Sequence, residues 1–120
     1  MVIRYASAIL NIAGGAALLL GLLFWSGVAL QLVSLHMLLG LLTVAALWVI
    51  VAAQMRVAAG SSLFTLCALI VGALTIFLGL RQTTLLVGPS HWIIQVVHLL
   101  LGILTIGLGH MAKAKSKVKT

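Results

Sequence analysis

The chain contains no aspartate and no glutamate in its 120 residues. With no carboxylate, neither carboxylate metal ligation nor carboxylate acid–base chemistry is available to it. Cysteine is represented by Cys67 alone, so no intrachain disulfide can form. Charge is sparse: charged residues make up 6% and aromatics 6%, and the formal balance of +7 comes from lysine and arginine only. Polarity has been replaced by aliphatic bulk, with 64% hydrophobic residues and a mean hydropathy of +1.38. A soluble domain of this size does not have that composition, and no extramembrane segment is long enough to house a catalytic domain.

A membrane span needs about 20 mostly apolar residues, and four such runs are legible, at 5–24, 31–54, 62–82 and 91–111. They predict an all-α membrane protein, a four-helix transmembrane bundle over residues 1–112, with a basic tail at 113–120. The first run follows Arg4 and lacks a small-residue cleavage site leading into a polar mature domain, so it reads as a retained span. Arg4, Arg56, Lys113, Lys115, Lys117 and Lys119 fall on one side of this topology and only Arg81 on the other. Basic residues near span ends are held on the cytoplasmic side. Both termini are therefore expected in the cytoplasm, with the 25–30 and 83–90 loops outside and Trp25 and Trp92 at the outer interface of a bacterial-type inner or plasma membrane. The tail lysines are interleaved with Ala, Ser and Val behind a span, which reads as a topology signal drawn to anionic lipid and not as a nucleic-acid surface.

The runs are not independent. His36 opens His36-Met37-Leu38-Leu39-Gly40-Leu41-Leu42-Thr43-Val44, and 62 residues later His98 opens His98-Leu99-Leu100-Leu101-Gly102-Ile103-Leu104-Thr105-Ile106, identical at six of nine positions. The first and third spans share a Gly-x6-Gly element, Gly14 to Gly21 and Gly72 to Gly79, at an offset of 58. Two repeated helical hairpins are thus predicted, with the second and fourth spans running in the same direction. At 1.5 Å per residue both histidines would lie about 8–10 Å below the outer boundary, able to face each other.

An ionisable side chain inside a span is by default a functional-site hypothesis, and two neutral imidazoles facing each other suit the axial positions of an iron porphyrin. Gly40 and Gly102 sit four residues below the histidines on the same helical face, where a larger side chain would occupy the volume of the macrocycle; Thr43 and Thr105 continue that face. Gly21 and Gly79 would let the first and third spans close over porphyrin edges, or serve plain helix packing. Arg81, the only outer cation, and then His91 are the expected propionate contacts, with Ser26, Gln31 and Ser90 as nearby donors. His110 reads as a snorkelling interfacial residue, Asn11 and Gln95 as interhelical amides. One haem b per chain is expected, since no second facing histidine pair exists in the inner half.

The layout of a four-helix half with histidine on its second and fourth spans, each leading into an apolar run, resembles one half of the haem A synthase fold and, more loosely, other small b-type membrane cytochromes. The resemblance implies that His36 and His98 are axial haem ligands. The synthase pattern also carries an acidic residue and an arginine near its ligand histidines, whereas here Val33-Ser34-Leu35 precedes His36, Met37 follows it and the chain has no carboxylate side chain, a departure that speaks against haem modification. The leading expectation is a non-catalytic cytochrome b subunit carrying electrons through one haem near the outer face, within a larger redox or photosynthetic complex, alongside other membrane subunits or as a homodimer, with quinol as a candidate donor. The alternative is a pigment-binding or structural accessory subunit without haem, in which a single histidine could ligate a chlorophyll-type magnesium. A small multidrug exporter also has four spans in such a length, but that mechanism couples proton and cation through a buried carboxylate.

Overall fold

The computed structural model describes residues 1–57 and 62–117. Among them the chain forms α1 (Val2–Trp25), α2 (Val33–Val57), α3 (Ser62–Arg81) and α4 (His91–Lys117), with a short 3-10 turn at Leu30–Leu32 leading into α2. All four helices are long and apolar enough to cross a membrane, the architecture of a multi-pass integral membrane protein. Helices satisfy every backbone group within the segment, which is the condition for crossing hydrocarbon. Their outward faces remain apolar, most completely on α3, where Leu63, Leu66, Leu69, Ile70, Leu74, Phe77 and Leu80 are exposed.

The turns follow local chemistry. Beyond α1 the backbone N–H of Ser26 donates to the Leu22 and Leu23 carbonyls, and Gly27 reverses the chain at φ 80°, a conformation that costs a side-chain-bearing residue about 1–2 kcal/mol. Beyond α3 the Thr84 N–H and hydroxyl both donate to the Arg81 carbonyl. At the other end α4 runs past position 111 through Lys117. Ala112 and Ala114 with the intervening lysines are good helix formers, and no glycine or proline stops them. Lys115 lies with its ammonium 5.0 Å from the centre of the Phe64 ring. Lys119 and the side chain of Lys117 fall outside the described residues.

The helices form a flattened bundle of 51 × 24 × 15 Å. α1 packs most extensively on α2, α2 also meets α3 and α4, α4 meets α1 and α3, and α1 does not touch α3. The two histidine-bearing helices are therefore the central pair. Packing is uneven along the bundle axis. Ala6, Leu10, Ala46, Leu47, Ile50, Val51, Ala68, Leu108 and Ala112 form the buried core, all at the end that carries the chain termini. Small residues allow close backbone approach there: Gly109 faces Leu10, Gly72 faces Trp48 and Val44, and the Trp48 indole N–H donates to the Ala68 carbonyl at 3.3 Å. Toward the interhelical loops 26–32 and 82–90 the bundle opens instead into a cavity.

Candidate cofactor site

The cavity measures about 370 Å³ and is walled by the loop-end halves of all four helices. α2 supplies His36, Gly40 and Thr43; α4 supplies His91, Gln95, His98, Gly102 and Thr105; α1 and α3 supply Gly14, Gly21, Thr75 and Gly79. The remaining wall is mainly aliphatic, with Phe24 and Trp25 near the mouth.

His36 and His98 project from the central helix pair with ring centres 6.3 Å apart and planes inclined at 67°. Phe24 packs edge-on against His36 at 5.3 Å. The His36 Nδ1 lies 2.8 Å from the Ala17 carbonyl. A carbonyl can only accept, so Nδ1–H donates and the Nε2 lone pair is left free, the tautomer that can ligate a metal through Nε2. The His98 Nδ1 is buried with no hydrogen-bond partner.

Each imidazole rests against a glycine of the preceding helix. A Cβ built on Gly21 would stand 3.3 Å from the His36 Cε1, and one on Gly79 would stand 3.0 Å from the His98 Cε1. These glycines make room for the rings themselves. The deeper glycines serve packing: a Cβ at Gly14 would meet Ile106 and Thr43, and one at Gly72 would meet Trp48 and Val44. Gly40 and Gly102 differ from all of these, because a Cβ at either position would meet nothing within 4 Å. Both line the cavity, so their missing side chains are empty volume next to the imidazoles.

Threonines close the inner end. Thr43 and Thr105 are buried, with hydroxyls donating to the Leu39 and Leu101 carbonyls at 2.7 and 2.8 Å. Thr75 joins them, donating to the Val71 carbonyl at 2.7 Å and lying 3.2 Å from the Thr105 hydroxyl. Sequence reasoning missed Thr75. The available signal was its alignment with Ala17 at the offset of 58, which puts it on the same helical face as Gly72 and Gly79.

The mouth departs most from the expected donor set. Arg81 ends α3 exposed to solvent and is not part of the cavity wall. Its neighbours Gln82 and Thr83 are, together with His91 and Gln95. His91 opens α4, and its Nδ1 lies 3.1 Å from the Leu85 carbonyl, which again leaves Nε2 free. Ser26, Gln31, Ser90, Asn11, Cys67 and His110 are exposed and do not line the cavity.

Among the described residues no group of three or more His, Cys, Asp or Glu side chains could hold a bare metal ion. Two imidazoles supply two donors. Compared with protein families, curated proteins and solved structures, the chain matches none.

Proposed function

We propose that the protein is a membrane-embedded b-type cytochrome that binds one haem b per chain between His36 and His98 and passes single electrons. The observation that carries this reading is the pair of imidazoles from α2 and α4 whose ring centres lie 6.3 Å apart in one cavity. Ring centres about 6 Å apart leave room for one metal ion between two imidazoles, which would be held by a nitrogen of His36 and a nitrogen of His98. The donor set agrees, since neutral nitrogen ligands without carboxylate or thiolate suit an iron already held by a porphyrin dianion. The open volume beside Gly40 and Gly102 supports a planar group there.

The chain's own residues then have definite tasks. His36, fixed by the Ala17 carbonyl, offers Nε2, and His98 offers the opposing nitrogen. Gly21 and Gly79 keep helix backbones out of the ring positions. At the mouth His91, Gln82, Thr83 and Gln95 are donors suited to propionates, with His91 favoured over Arg81 because it lines the wall. Aliphatic walls exclude water and so limit the reorganisation that accompanies a change of charge. When bound, the haem supplies a one-electron couple between ferric and ferrous iron, tuned by burial and by hydrogen bonds to its ligands.

The remaining parts of the reading follow from the same residues. The matching contacts, Gly21 against His36 and Gly79 against His98, support two repeated hairpins. Arg4, Arg56, Lys113 and Lys115 at the terminal end support a cytoplasmic location for both termini and contact with anionic lipid, in a bacterial-type inner or plasma membrane. A haem at the loop end then lies near the outer face. With so little chain outside the helices, electrons must come from and go to partners, other membrane subunits or a second copy, with quinol as a donor from the bilayer. Purified wild-type protein is expected to carry one haem b per chain with a low-spin spectrum that is lost in His36→Ala. Unchanged haem content in both His36→Ala and His98→Ala would overturn the assignment.

A further inference from the structure

The two imidazoles are alike in sequence context and unlike in support. His36 has a ring nitrogen bonded to the Ala17 carbonyl at 2.8 Å and an aromatic edge, Phe24, at 5.3 Å. His98 has neither, and its buried Nδ1 is an orphan. Ala17 aligns with Thr75 at the offset of 58, so the Thr75 carbonyl would be the counterpart acceptor, yet no hydrogen bond joins it to His98. The His98 ring is also the more tightly pressed of the two, with Cε1 3.0 Å and Nε2 3.6 Å from a Cβ position on Gly79. Neither ring nitrogen is therefore held in an orientation by a partner.

A hydrogen bond from the outer ring nitrogen to a carbonyl fixes the tautomer and raises the basicity of a ligating histidine, and losing it typically costs about tenfold to a hundredfold in metal affinity. We infer that His36 is the permanent axial ligand and His98 an exchangeable one, so that the reduced protein takes up a small diatomic π-acceptor of the carbon monoxide class in place of His98. This rests on the haem reading above. In the exchange the iron–nitrogen bond to His98 breaks and a bond to the incoming carbon forms; the iron stays ferrous, no proton or electron moves, and His98 remains a neutral imidazole.

The test is carbon monoxide titration of the full-length, dithionite-reduced protein in detergent, read by absorption, with His36→Ala and His98→Ala measured for haem content and affinity in parallel. The expected result is that carbon monoxide replaces the low-spin spectrum of the wild type. His98→Ala should retain haem, bind carbon monoxide more tightly than the wild type because no internal ligand competes, and regain a low-spin spectrum with added imidazole. His36→Ala should lose haem. A haem-bearing wild type whose reduced spectrum ignores carbon monoxide, or equal haem loss in the two variants, overturns the inference and leaves the haem reading standing. A wild type that takes up no haem on reconstitution overturns the haem reading and this inference with it.

Discussion

At the residue scale the glycines separate into positions that are filled and positions that are open, and their substitutions should behave oppositely. Gly40 and Gly102 face empty volume, so Gly40→Ala is expected to leave folding intact or to stabilise the helix by about 0.5–1 kcal/mol, whereas Gly40→Leu or Gly102→Leu should fill the cavity and abolish haem uptake in a reconstitution assay. Thermal melts and haem titration of the same samples separate the two effects. Gly79→Ala places a methyl 3.0 Å from the His98 ring and should disturb the spectrum more than Gly21→Ala, whose methyl would stand 3.3 Å from His36. Equal perturbation by the two would contradict the different support described for the rings. Both histidines and Gly21, Gly40, Gly79 and Gly102 were legible in the sequence, because a repeated polar or small residue stands out against leucine. The Ala17 carbonyl and the orphaned Nδ1 of His98 were not, since a backbone acceptor has no letter and an orphan exists only in three dimensions.

At the element scale, the helix number and approximate bounds came from run length alone. The relative placement of the helices did not. Helices that are apolar all round carry no stripe to mark the buried face, so beyond the paired histidines that bring α2 toward α4 nothing in the sequence says that α1 and α3 stay apart. The extension of α4 past the membrane run and the short turn at Leu30–Leu32 were also outside what hydropathy reports. Two tests belong here. Gly72→Ala would drive a methyl into Trp48 and Val44 and should cost about 1–3 kcal/mol by overpacking, measured by unfolding in detergent. Trp48→Phe removes the indole donor to the Ala68 carbonyl and should cost about 0.6 kcal/mol, the average for an interhelical hydrogen bond in a membrane protein. If Trp48→Phe proved as damaging as Gly72→Ala, the hydrogen bond would be a main tie between α2 and α3 and not a minor one.

For the whole molecule, the division of labour runs along the bundle axis: a tight small-residue core at the terminal end and a cavity with two imidazoles at the loop end. That polarity gives the site its depth once orientation is fixed. The cationic residues Arg4, Arg56, Lys113 and Lys115 at the terminal end predict cytoplasmic termini, so reporter fusions at Met1 and after Lys117 should both report the cytoplasm, and a split result would place the cavity on the other face. The haem assignment itself is tested most directly by a reduced-minus-oxidised absorption spectrum of the purified chain with a pyridine haemochrome assay for haem type and stoichiometry. The account predicts a low-spin b-type spectrum at one haem per chain. A chain that stays colourless after haem reconstitution, or that carries a different pigment at the histidines, would contradict it.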